Sequence, residues 1–129
     1  MIELSTASVD PAAASSLASV ETPIDVAHLA RMTLGDPSLE REVLQLYDRQ
    51  AGMLLARMQQ APPAAAAAYA HTLKGSSSGI GAWKVARAAE AVEFAANRNA
   101  EADVAAAIRH LGTTVGEARA VIAELLRAH

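Results

Sequence analysis

Of the four histidines in the chain, His71 stands in the surroundings that chemistry could most readily use. On a helical wheel of roughly 100° per residue, Pro62, Ala66, Tyr69, Leu73, Ser76 and Ile80 fall on one side, and His71 lies near the centre of the other. Its neighbours there are Ala64, Ala67, Ala68, Lys74, Gly75 and Ser78, all small except one lysine, so the imidazole is expected to stand in solvent. A solvated histidine on an Ala-rich helix is the plain reading of such a residue. Gly75 and Lys74 count against it. Gly75 follows His71 by one turn inside a helix, where Gly costs ~1 kcal/mol relative to Ala, so something other than helix stability favours a missing side chain there. Lys74, one of only two lysines, shares the face. An imidazole with a clear approach and an ammonium beside it suits a phosphoryl acceptor, because a second protein must reach the nitrogen and the product carries about two negative charges.

The elements that would hold this residue are helices. Asp25 can cap a short helix with Val26, Leu29, Ala30 and Met32 inward, ended by Gly35 in the left-handed conformation. Asp36-Pro37 reads as a cap followed by Pro at the first helical position, and Leu39, Val43, Leu46, Tyr47, Leu54 and Met58 continue a stripe to about Gln60, where Pro62-Pro63 closes it. The pattern predicts a helix from Ala64 to about Ser78, a turn at Gly79-Ile80-Gly81, and a helix from about Ala82 to Ala96 with Val85, Ala89, Val92 and Ala96 inward. After Asn97-Arg98-Asn99, the last helix carries Val104, Ile108, Leu111, Val115, Ala118, Ile122 and Leu125 at steps of four and three. Four long helices with short connections hide their stripes as an antiparallel up-down-up-down bundle, preceded by one short helix. The expected fold class is therefore all-α, over residues 23–129, behind an Ala- and Ser-rich flexible leader at 1–22.

Composition agrees and excludes other functions. The chain of 129 residues is 52% hydrophobic but only 3% aromatic, as small helix formers would give. Its length suits one domain, with no room for an ATP-binding domain beside the helices. The net charge of -3 comes from Glu3, Asp10 and Glu21, and beyond them 11 basic side chains meet equal numbers of acidic ones. Without a basic stripe, neither nucleic acid nor an anionic membrane is expected as partner. No cysteine is present, which removes disulfides, thiol chemistry and thiolate metal sites. No signal peptide or transmembrane run is read, so the expected location is cytoplasmic.

His71-Thr72-Leu73-Lys74-Gly75-Ser76-Ser77, followed by Gly81-Ala82, resembles the signature of histidine-containing phosphotransfer (HPt) domains of bacterial multistep phosphorelays. The resemblance spans roughly residues 24–127 and includes the order of helices. It implies that His71 is phosphorylated on its outer ring nitrogen, that Lys74 helps neutralise the phosphate, and that Gly75 gives the partner room. It also implies a polar side chain from the following helix on the inner nitrogen. In a hairpin turning near Gly79–Gly81, residues about ten positions beyond the turn return to the level of His71, which nominates Glu93 first and Glu90 second, with Ser78 close by. Such a carboxylate would fix the tautomer that leaves the outer nitrogen nucleophilic. The sequence departs from the family's usual pattern at Val85, where a larger aliphatic residue is common, and at Ala89, near which a Cys often stands.

The implied partners are response-regulator receiver domains and a hybrid sensor histidine kinase. The chain would be a phosphocarrier and not an enzyme that turns over, with no cofactor of its own, since the receiver supplies acidic residues and Mg²⁺. It is expected to be a monomer. Trp83, Lys84 and Arg87 are candidates for the docking surface, although the plain reading of Trp83 is packing against the bundle end and that of the two cations is solvation. Gly75 to Gly81 follows no strand and lacks the spacing of a phosphate loop, and His28, His110 and His129 make no metal-ligand pattern. Two other functions fit a helical bundle with an exposed histidine. The dimerisation bundle of a sensor kinase usually follows its histidine with an acidic residue and a proline, which Thr72-Leu73-Lys74 does not provide. A helical adaptor that binds receivers without carrying phosphate is the other.

Overall fold

The computed structural model describes residues 22–128, and the leader expected at 1–22 lies almost wholly outside them, as does His129. Five helices occur among the described residues: α1 (Val26–Met32), α2 (Pro37–Gln60), α3 (Pro63–Ile80), α4 (Trp83–Asn97) and α5 (Glu101–Ala128). The caps explain most boundaries. Asp25 accepts a hydrogen bond from the His28 N–H, and Asp36 accepts from those of Ser38 and Leu39, with Pro37 opening α2. Gly81 ends α3 at φ +85°, where Ala82 N–H reaches back to Ser77 O at 2.8 Å.

The long helices form a closed antiparallel ring in which α2 touches α3 and α5, while α4 touches α3 and α5. The contact of α3 with α4 is the most extensive, because buried alanines at Ala66 and Ala70 on α3 and at Ala86 and Ala89 on α4 allow the helix axes to approach closely. Leu44, Leu54 and Met58 of α2 and Leu111, Val115 and Ile122 of α5 fill the other half of the core. The whole architecture is the all-α bundle with a short preceding helix that the periodicity predicts.

Several inward residues differ from the sequence expectation. Val26 and Met32 are exposed and only Leu29 of α1 is buried, since a helix of seven residues packing through a single turn covers one side chain. On α2, Leu39 and Leu46 face outward, and the buried face runs through Leu44, Tyr47, Ala51, Leu54 and Met58. Helix α3 also continues two residues further than expected. Gly79 and Ile80 are helical, Ile80 is buried, and Gly81 alone makes the turn. On the same helix the inner serine is Ser77, fully buried, whereas Ser76 is only half-buried.

Ser77 meets Tyr47 in a buried polar contact between the α2 core and α3. Tyr47 Oη and Ser77 Oγ lie 2.7 Å apart, both buried. Burial pushes the Tyr47 phenol up to about 12, against a smaller opposing effect of the Ser77 hydrogen bond. This contact fixes the rotation of α3 about its axis, and the opposite side of that helix carries His71.

Candidate functional site

His71 projects from α3 with 69% of its side chain exposed. Its Nδ1 lies 2.9 Å from Glu93 Oε2 on α4. An ionised carboxylate only accepts hydrogen bonds, so Nδ1 carries the proton and donates it, and the lone pair is left on Nε2. The level of Glu93 follows from the hairpin: with a tight turn at Gly81, two antiparallel helices bring residues roughly equidistant from it side by side.

The same carboxylate holds the lysine. Glu93 Oε1 lies 2.9 Å from Lys74 Nζ, and Glu90 Oε2 is 4.0 Å from that ammonium. Partial burial would raise the Glu93 carboxyl, but the Lys74 ammonium and the hydrogen bond from His71 outweigh it and hold the group below its ordinary value. Lys74 is correspondingly raised, chiefly through its close pairing with the Glu93 carboxylate. Glu93 thus bridges the histidine and the lysine, while Glu90, largely exposed, reaches only the lysine. The pairing of Lys74 with Glu93 is absent from the sequence reading, because a flexible lysine one turn from His71 could point along the helix as readily as across it.

The rim of the site is uneven. On α3, a Cβ added at Gly75 or Gly79 would meet nothing within 4 Å, and Ala64 and Ala68 are exposed. The hydroxyls of Thr72 and Ser76 turn back to donate to Ala68 O and Thr72 O of their own helix. The α3 side is therefore low and smooth. On the α4 side, Trp83, Ala86, Arg87 and Glu90 join Lys74 and Ser78 around an open hollow of about 420 Å³. Ser78 and Lys74 are its α3 contribution, and Arg87 stands exposed at its edge.

Trp83 has two attachments that sequence reasoning did not supply. Its Nε1 donates to Asp25 Oδ2 at 3.0 Å, and its ring meets that of His28 edge-on, centroids 4.8 Å apart. Asp25 therefore caps α1 and anchors the tryptophan, and its carboxyl is held low mainly by that indole hydrogen bond. A separation of 58 residues left no local signal for this pair. Lys84 turns away from His71 toward α5, where its Nζ lies 3.3 Å from Glu117 Oε1. Exposed His110 borders the same side of α4.

Among the described residues no group of three or more His, Asp or Glu side chains converges as a metal site, and no helix is long and apolar enough to cross a membrane. The family model described as "Hpt domain" matches residues 42–128, which run from the first turns of α2 to the end of α5 and include every side chain of the His71 site. No curated protein and no solved structure matches the chain.

Proposed function

The chain belongs to the Hpt domain family, and from that premise we propose that it carries a phosphoryl group on His71 between receiver domains of a two-component phosphorelay. The observation that carries the assignment to His71 is its hydrogen bond to Glu93, which holds Nδ1 and directs the free lone pair of Nε2 to solvent over the smooth α3 surface. In the forward step that lone pair attacks the phosphorus of an aspartyl phosphate in line. The N–P bond forms as the bond from phosphorus to the aspartyl oxygen breaks, and the electron pair leaves with the carboxylate. Transfer to a second receiver runs the step in reverse.

Lys74 is placed to offset the added negative charge, and Gly75 leaves the space beside the ring open. Glu93 stabilises the imidazolium-like charge that develops as the N–P bond forms. The receiver supplies Mg²⁺ and its acidic ligands, so the carrier contributes the nucleophile and its orientation, and is regenerated in each cycle without acting as an enzyme on its own. It works as a monomer in the cytoplasm, beside receivers of response regulators and of a hybrid sensor kinase.

Incubation with phosphorylated receiver domains and Mg²⁺ tests the reading. The chain is expected to acquire label that is stable in base and labile in acid, as a phosphoramidate is. The opposite lability would indicate an acyl phosphate and remove His71 as the acceptor, and receivers that bind without transferring label would make the chain an adaptor.

A further inference from the structure

Trp83, Arg87, Glu90 and Phe94 follow one another along α4 at steps of four, three and four residues, so they form one row down the helix. The first three border the hollow beside Lys74, and Phe94 continues the row one turn beyond Glu90. Phe94 is 63% exposed. Large exposed apolar side chains otherwise lie on α1, on α2 and in the loop joining them, so among the described residues Phe94 is the only one on either helix that forms the His71 site. The Arg98 guanidinium sits over its ring, 5.3 Å from the centroid.

We infer that Phe94 is the apolar anchor of the receiver-docking surface of this carrier. The inference rests on the phosphocarrier reading and goes beyond it, because transfer chemistry at His71 makes no use of Phe94. Its position follows from continuity with the site. A specific protein interface covers about 800 Å² per partner, a disc of roughly 16 Å radius. A receiver whose aspartyl phosphate reaches Nε2 must centre such a disc near His71. Phe94 directly follows Glu93, whose carboxylate touches the ring, and therefore falls well inside it.

The surroundings favour a rim contact there. The α3 side offers alanine and glycine, which allow approach but provide little apolar area. The α4 row offers an aromatic ring with the Arg98 guanidinium over it, a cation complementary to the negative charge around an aspartyl phosphate, and Arg87 stands further along the row beyond Glu90. Aromatic residues contribute disproportionately to interface energy, and one standing beside small residues can discriminate partners without touching the phosphoryl group.

Phe94→Ala, Phe94→Leu and the α2 control Met53→Ala, itself exposed, are compared in the full chain. Initial transfer rates are measured against the concentration of receiver domains phosphorylated with acetyl phosphate. Phe94→Ala is expected to raise the half-saturating receiver concentration about tenfold and to leave the limiting rate nearly unchanged, as truncation of an interface aromatic does. Phe94→Leu should recover most of the loss, and Met53→Ala should match the parent. Direct phosphorylation of His71 by phosphoramidate, which needs no docking, should be equal in all four proteins. A saturation curve for Phe94→Ala that overlays the parent's overturns the inference. A variant that changes self-association in sedimentation without moving the receiver curve assigns Phe94 to a contact with a second copy, and also overturns it. If the parent neither binds nor accepts from any receiver, the phosphocarrier reading itself falls and takes this inference with it.

Discussion

His71 and His28 each lie near a carboxylate, and the bundle treats the two rings in opposite ways. At the closed end, Asp25 gives one oxygen to the His28 backbone and the other to Trp83, and the imidazole is packed against the indole edge. The His28 Nε2 is buried and has no hydrogen-bond partner among the described residues. In the α3–α4 groove, the carboxylate takes the ring nitrogen itself, and the rest of the ring stands in solvent. A phosphoacceptor is thus made by surroundings: one nitrogen held, the other uncovered, and a cation within reach. His28 has a carboxylate nearby, but Asp25 holds its backbone and not its ring, and its Nε2 is buried.

Exchanging the roles of these histidines by mutation gives the largest expected effect. His71→Gln should reduce phosphotransfer by at least a factor of ~10³, about 4 kcal/mol of transition-state stabilisation, because no other described histidine has a motivated approach. His28→Gln should keep the transfer rate and alter only the melting temperature. Label appearing on the His71→Gln protein would break the contrast at its root.

The two glycines beside these histidines sharpen it. Gly81 sits at φ +85°, and a Cβ there would come within 2.9 Å of Asp25 O. Gly81→Ala should therefore cost ~2 kcal/mol, combining left-handed strain with displacement of the α1 contact, and lower the melting temperature by roughly 8–16 °C for a domain of this size. Transfer per folded molecule should persist. Gly75→Gln should behave in reverse. Its Cβ meets nothing, so the melting temperature should hold or rise, while the added side chain obstructs the approach to His71 and slows transfer about tenfold, or ~1.4 kcal/mol. Unfolding of Gly75→Gln would mean that the glycine serves packing, and a parental rate would remove its steric role in docking.

Much of this arrangement is legible in the sequence where a local rule governs it. Asp36-Pro37 and Pro62-Pro63 mark helix ends through capping and lost amide donors, and α5 keeps a single inward register over seven residues, whereas the end of α1 uses Leu34 at φ +55° ahead of the expected Gly35 at φ +72°. The face of α2 is not legible in this way. Leu39, Leu44, Leu46, Leu54 and Leu55 offer more than one plausible stripe, and the choice falls to tertiary contacts: the Tyr47 bond to Ser77 and the close seat for Ala51 turn Leu39 and Leu46 outward. The site divides along the same line. Counting from a tight hairpin turn brings Glu93 level with His71, whereas the clamp of Asp25 on Trp83 joins elements with no shared periodicity. Phe94 is invisible to a search for inward residues because its interest lies in being exposed.

The smallest expected effect concerns the two carboxylates themselves. Glu93 is held below its ordinary value of 4.5 although burial opposes this, so its ion pair with Lys74 and its hydrogen bond with His71 must outweigh desolvation. Because the folded-state value is depressed, the stabilisation from this bridge is fully present above that ordinary value and is lost as pH falls through the lower folded one. Carboxyl-detected NMR should find Glu93 titrating below 4.5, and Lys74→Ala should move its midpoint upward by removing the largest lowering contribution. Trp83→Phe should instead raise the midpoint of Asp25, whose indole hydrogen bond dominates its shift, and leave Glu93 in place. Each substitution then reports on one histidine's carboxylate alone. A Glu93 midpoint at the ordinary value in the parent protein would mean that the bridge does not persist in solution, and the ring of His71 would lose the restraint that separates it from any other exposed histidine.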